Sequence, residues 1–224
     1  MSRIDEIKNY YASVAPVYNE IAGYKEAESE KLRDPAKARY YKLFKERRVL
    51  EIACGSGYWT EVIGQVAKSV LATDFNHAML ALAANRCCRL PNVKFLKADA
   101  YSLDGVPGDF DATFANCWWS HIPRKMIPVF LATLHNKLKP GSLVLFVDQL
   151  PDTSGFCATN TKSVKITDED RLELRSAPDG KTYEIVKNLP THQEIREHLA
   201  GRAQDISYLE EQGVWSVMYT TLSR

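Results

Sequence analysis

One nine-residue stretch restricts this chain more than any other. Val49-Leu50-Glu51-Ile52-Ala53 is a short apolar run with the length of a buried strand, and it ends directly in Cys54-Gly55-Ser56-Gly57. Trp59, Val62, Ile63 and Val66 then recur at i, i+3, i+4 and i+7, the stripe of an amphipathic helix. A strand that meets a glycine turn and then a helix is the first half of a βαβ unit. Glycine lacks Cβ, so the turn can be sharp and a ligand can approach its backbone. A second apolar run, Val70-Leu71-Ala72-Thr73, is closed by Asp74. An acidic residue in that place can accept hydrogen bonds from a ribose hydroxyl pair, or it can cap the next helix.

The alternation continues along the chain. Asn76 is placed to cap a helix that buries Met79, Leu82 and Ala83. Val93–Leu96 and Phe110–Ala115 read as third and fourth strands, and a helix with Ile127, Phe130, Leu131, Leu134 and Leu138 on one face stops at Lys139-Pro140-Gly141. Leu143–Val147 is the fifth strand. Strands separated by helices of this length make a parallel sheet, so the fold class is α/β, doubly wound, with helices on both faces. After Leu150 the pattern changes. Residues 151–168 read as irregular, and Arg171–Arg175 and Lys181–Val186 as a β-hairpin through Pro178-Asp179-Gly180. Thr191 and Glu194 form a capping box that opens a short helix ending at Gly201. Ile206–Leu209 and Val214–Leu222 are joined only through Gln212-Gly213, too short a link for a parallel crossover, so they are antiparallel. The expectation is a mostly parallel seven-stranded sheet with an antiparallel C-terminal edge hairpin. It is a single domain over 1–224: a helical lid over 1–48, a ligand-binding core over 49–150, an irregular segment with a hairpin over 151–190, and a terminal helix with strands over 191–224.

Composition decides what the fold leaves open. The 224 residues carry 29 Lys+Arg against 28 Asp+Glu, a net charge of +1, so no global field draws the chain to nucleic acid or an anionic membrane. The acidic start, Met1 to Glu6, lacks the pattern of a secretion signal, and no apolar run reaches the roughly 18 residues of a membrane span. Cys54, Cys87, Cys88, Cys117 and Cys157 are odd in number and form no C-x-x-C pair, which suggests neither disulfides nor a zinc site. A cytoplasmic protein without a metal, monomeric or homodimeric, is expected.

Glu51-Ile52-Ala53-Cys54-Gly55-Ser56-Gly57 resembles motif I of the class I S-adenosylmethionine-dependent methyltransferases, acidic-x-x-x-Gly-x-Gly. A dinucleotide site would want a third glycine where Thr60 stands. Thr73-Asp74-Phe75-Asn76 looks like the second motif, Lys97-Ala98-Asp99-Ala100 the third, and Phe110–Asn116 the fourth. Leu138-Lys139-Pro140-Gly141-Ser142-Leu143 is similar to the turn before strand five. The resemblance covers roughly residues 49–150 and departs from the commonest pattern at Ala53, where glycine is frequent. It implies S-adenosylmethionine as cofactor, with Asp74 on the ribose, Phe75 against adenine and Asp99 near the adenine amino group. Glu51, Ala53, Gly55, Gly57, Met79, Ala100 and Asn116 complete the implied cofactor site, together with Tyr11 and Tyr18 of a tyrosine-bearing lid helix.

The reacting end is expected in Asn116-Cys117-Trp118-Trp119-Ser120-His121, which follows strand four. Trp118 and Trp119 either wall an aromatic substrate pocket or pack the core. His121 is either a general base that deprotonates a hydroxyl or ammonium nucleophile, or a helix-start residue bonded to backbone. The resemblance implies in-line methyl transfer to an oxygen, nitrogen or carbon atom of a small molecule. Three rival readings stand beside it: a methyltransferase of nucleic acid or protein, a non-catalytic cofactor-binding protein, and a nicotinamide-dependent oxidoreductase. The charged run Lys25–Arg48 reads as a solvated helix.

Overall fold

The computed structural model describes residues 3–25, 27–151 and 160–222; Cys157 and residues 152–159 of the segment expected to be irregular lie outside them. Seven strands form the main sheet: β1 (Arg48–Ile52), β2 (Ser69–Asp74), β3 (Val93–Lys97), β4 (Phe110–Asn116), β5 (Leu138–Gln149), β9 (Ala203–Glu211) and β10 (Val214–Thr221). Their order is β3-β2-β1-β4-β5-β10-β9, parallel from β3 to β5 and antiparallel at β10 and β9. The order reverses between β1 and β4, the switch point at which open α/β sheets receive ligands. At the other edge Gln212 and Gly213 both take positive φ, 49° and 82°, as the tight primed turn of a two-residue hairpin requires.

Helices cover both faces. On one side α4 (Asp34–Phe44) and α5 (Tyr58–Gly64) place Tyr40, Phe44, Trp59 and Ile63 against Val49, Phe114 and Leu145. On the other, α7 (Ile127–His135) and α8 (His192–Leu199) place Phe130, Leu131, Leu134, Ile195 and Leu199 against Leu50, Ile52 and Phe146. Each such fully buried large side chain is worth roughly 1.5–3 kcal/mol. α6 (His77–Arg86) is capped by Asn76, whose Oδ1 accepts from the Ala78 amide at 2.9 Å. Thr191 and Glu194 form the reciprocal capping box of α8.

Three sequence expectations change. The run Lys25–Arg48 is not one solvated helix: it holds α3 (Ala27–Leu32) and α4, and α4 buries Tyr40 and Phe44, four residues apart on one face. Second, the hairpin of β7 (Arg171–Ser176) and β8 (Thr182–Val186) gains a third strand, β6 (Thr161–Ile166), within the stretch expected to be irregular. Lys162 to Ile166 are all exposed, so no apolar face announced that edge strand. The helix expected up to Leu138 stops at His135, and Leu138 opens β5.

The small sheet is the support for the lid. α1 (Arg3–Val14) sets Ile7, Tyr10 and Val14 against Leu172, Tyr183, Ile185 and Val186, with Met79 of α6 in the same cluster. Arg3 also pairs with the buried Asp170 at 2.8 Å. A short turn at Ala15–Val17 leads to α2 (Tyr18–Ile21), which completes the roof over the carboxyl ends of β1 and β4.

Candidate active site

Two cavities meet above the switch point. The smaller, about 100 Å³, lies over the Gly55 turn and is lined by Ala53, Gly55, Asp74, Phe75, Met79, Asp99, Ala100 and Trp118. The larger, about 410 Å³, runs between the lid, α4 and the β10 edge, and His121 lines it. Tyr11, Tyr18, Asn116 and Cys117 line both, so they form the passage between the two. Ala53 and Cys117 each follow a strand end with φ +53°, and the left-handed turn there swings the chain away and parts β1 from β4. That conformation costs a non-glycine residue about 1 kcal/mol, which explains why glycine would suit position 53.

Asp74 organises the smaller cavity. One carboxylate oxygen accepts from the Gly55 amide at 3.0 Å and the other from Asn76 at 2.8 Å. The carboxylate thus ties the glycine turn to Asn76, the residue that caps α6, and faces the cavity; Asp74 itself is not the cap. Its pKa is raised by burial, against the opposing pull of the Asn76, Gly55 and Phe75 amides. A Cβ at Gly55 would meet the Tyr18 ring at 3.5 Å, so the turn lies directly under the roof. Gly57 serves packing: a Cβ there would stand 2.8 Å from Ala83 Cα and Cβ, and its φ is +78°. Neither Gly57 nor Glu51 lines the cavity. Glu51 lies beneath the turn, 2% exposed, and its Oε2 has no hydrogen-bond partner among the described residues. Burial first, and the Asp74 charge beside it, push its carboxyl up to about 8.

At the far end Asp99 and Phe75 stand together, and Lys8 of α1 reaches both. Its Nζ lies 2.9 Å from Asp99 Oδ2 and 3.6 Å from the centre of the Phe75 ring. No local pattern marks Lys8, because its role depends on where the lid lands. The two tryptophans separate. Trp118 walls the smaller cavity, beside Tyr101 and Phe130. Trp119 lines neither cavity and takes the second of its two readings: it is 1% exposed and packs edge-on to Phe146 and Trp215 in the core. Alternate residues of a tight turn point to opposite sides, and only one of an adjacent pair can face the crevice.

His121 has both of its ring nitrogens engaged. Nδ1 is 2.7 Å from the Val186 carbonyl and Nε2 is 2.8 Å from the Tyr11 hydroxyl. A carbonyl only accepts, so Nδ1 carries the proton, and Nε2 presents a lone pair to which Tyr11 donates. Burial, with the charges of Lys187 and Arg175, holds the pKa well below its ordinary value, so the ring is neutral at physiological pH. The turn that carries it is fixed from below: Asp148 accepts from the Ser120 amide at 2.8 Å, and Lys187 donates to Ser120 Oγ at 2.8 Å.

Among the described residues no group of His, Cys, Asp and Glu is arranged to hold a metal ion, and no helix is long and apolar enough to cross a membrane. A glycine turn under a tyrosine roof, a carboxylate facing the cavity and a buried acidic oxygen without a partner fit an adenosyl group carrying an amino-acid tail. A family model described as a methyltransferase domain matches residues 49–141. The demethylmenaquinone methyltransferase of Staphylococcus aureus (strain MRSA252) is 26% identical over 107 residues, 46% of this chain and 44% of that protein; the match thus spans less than half the length of this curated relative. Among solved structures, the DhpI–SAM–HEP complex is similar over 96% of both chains, with TM-score 0.75 and 25% identity. The DhpI–SAH complex is similar over 99% of this chain and 98% of that one, with TM-score 0.76 and 24% identity. The PH0226 protein from Pyrococcus horikoshii OT3 matches over 88% and 92%, with TM-score 0.70 and 16% identity. Residues 49–141 thus match a methyltransferase domain, the chain shares the fold of structures solved with S-adenosylmethionine and S-adenosylhomocysteine, and the residues of the smaller cavity fit S-adenosylmethionine as cofactor.

Proposed function

We propose that the chain methylates an oxygen, nitrogen or carbon nucleophile of a small molecule held in the larger cavity. The observation that carries this reading is the shared wall: Tyr11, Tyr18, Asn116 and Cys117 border both cavities, so an acceptor in one can reach a donor in the other. The donor site takes Asp74 for the ribose, Phe75 and Asp99 for the adenine end, and the Ala53–Gly55 turn with Tyr18 for the amino-acid tail. When bound, S-adenosylmethionine supplies a methyl group on a sulfonium, and transfer leaves the neutral thioether S-adenosylhomocysteine. The protein aligns the nucleophile and excludes water, and the roof of α1 and α2 performs both tasks. A nucleophile that carries a proton passes it to the Tyr11 hydroxyl, which hands its own proton on to the Nε2 lone pair of His121. The enclosed cavity favours a small acceptor over a nucleic acid or protein chain. The described cysteines Cys54, Cys87, Cys88 and Cys117 are free thiols, in keeping with a reducing, cytoplasmic setting.

The test is transfer of labelled methyl from S-adenosylmethionine to a panel of small hydroxy, amino and enol compounds. Transfer that sinefungin blocks is expected. A protein that binds no S-adenosylhomocysteine at millimolar concentration would overturn the reading.

A further inference from the structure

The larger cavity is not electrically neutral. Its lining includes Arg33, Arg39, Arg175 and Lys187, against one carboxylate, the exposed Glu211 at the mouth. The four cations come from four places in the fold: Arg33 precedes α4, Arg39 lies within it, Arg175 is on β7, and Lys187 follows β8. Arg175 and Lys187 are deeply buried, with side chains 3% and 5% exposed. Charges of that kind are retained in a protein interior only when something answers them.

Several of the groups that answer them are shared. Arg175 places Nε and one terminal nitrogen on Glu173 Oε2, but Glu173 also serves Arg171, so two guanidinium groups share one carboxylate. Lys187 pairs with Asp148 at 3.3 Å, and Asp148 is already engaged by the Ser120 and Gln149 amides. Arg33 spends its guanidinium on the carbonyls of Gly23 and Ala22. Arg39 donates to Ser216 Oγ at 3.1 Å and, among the described residues, forms no ion pair. Among the described residues, the lining thus carries four cations and one carboxylate around a pocket that also holds His121 and the Tyr11 hydroxyl.

We propose that the methyl acceptor is a small organic oxyanion, a carboxylate or a phosphate monoester, whose charged group is bound by Arg39, Arg175 and Lys187. The proposal rests on the reading of the larger cavity as the acceptor site. It gives the lid a second purpose, because closing over an anion removes water from charges that strengthen as they dry. It also ties recognition to chemistry. Lys187 and Arg175 are the two cations that oppose a positive charge on His121, so an anion seated on them makes the ring a better proton acceptor at the moment an acceptor is present.

The experiment uses the full chain, first titrated calorimetrically with S-adenosylhomocysteine and then, saturated with it, with sodium phosphate, sodium acetate and tetramethylammonium chloride. The signal of the His121 ring carbons in an NMR spectrum reports occupancy of the larger cavity. Either anion is expected to saturate in the millimolar range and shift that signal, and tetramethylammonium to do neither. Phosphate alone would name a phosphate monoester, and acetate alone a carboxylate. Arg39→Met, a half-exposed position, should weaken the anion by at least about tenfold while S-adenosylhomocysteine affinity stays within about twofold, and Arg39→Lys should recover part of the loss. Normal cofactor binding with no response to either anion, or a response to tetramethylammonium, would overturn the proposal. Failure to bind S-adenosylhomocysteine would overturn the methyltransferase reading instead, and the anion titrations on the cofactor-free chain would still decide the subsite.

Discussion

Asp74 joins two demands in one side chain: it holds the Gly55 turn to the α6 cap and faces the donor cavity. Asp74→Asn, which keeps the shape and one acceptor oxygen, should lower affinity for S-adenosylhomocysteine by about 10- to 150-fold, the worth of a charge-assisted bond of about 1.5–3 kcal/mol. Calorimetric titration beside a thermal melt separates that loss from any unfolding. His121→Ala should slow the methyl-transfer step by about 10²–10⁴-fold with cofactor affinity nearly unchanged, if the acceptor reacts through a protonated atom. Single-turnover rates with labelled cofactor check it, and an unaltered rate would return His121 to a purely structural role. Tyr11 is the companion test, since its hydroxyl is the only described donor to Nε2 that the geometry records.

Elements show where the sequence could be read and where it could not. β1, its glycine turn and Asp74 were visible because strand, turn and acidic end lie within 27 consecutive residues, Arg48 to Asp74, and local pattern fixes them. β6 was not, since all but one of its residues are exposed and its pairing with β7 is set by the small sheet alone. Asp74 on β2 and Asn116 on β4, which line the smaller cavity, were legible for the same reason as the strands that carry them. Lys8, Arg39, Arg175 and Lys187 were not, because each reaches the cavities from an element whose docking no local pattern encodes. Tyr40 and Phe44 at i, i+4 did announce a buried face within the charged run, and the charges around them concealed it. At this scale Gly57→Ala is the sharpest probe. Its methyl would enter the backbone of α6 at Ala83 and its φ of +78° disfavours any side chain, so a loss of at least about 2 kcal/mol is expected in urea denaturation. Thr191→Ala removes the α8 cap and should cost about 1 kcal/mol in the same assay.

Across the whole molecule, buried titratable groups set opposing pH trends. His121 and His135 titrate below their ordinary values, His135 at about 4 with burial the first cause, so below about pH 6.5 the unfolded chain takes up protons that the folded chain refuses, and stability falls toward acid. Glu51, raised to about 8, acts in reverse: between its unfolded pKa and about 8 the unfolded chain has lost a proton that the folded chain keeps, and stability falls toward alkali. Stability should peak near pH 6.5, with a decline of about 2 kcal/mol by pH 8 that Glu51→Gln removes, as denaturation at a series of pH values will show. One contact across the roof has a consequence of another kind. The ammonium that bridges α1 to Asp99 and Phe75 sits where the adenine end is expected, so each arriving nucleoside must break a partly solvated ion pair. Dissolved electrolyte shields such a pair over roughly 8–10 Å. Ionic strength then becomes a throttle on loading: added salt should hasten entry of S-adenosylmethionine, and Lys8→Met should make that rate indifferent to it.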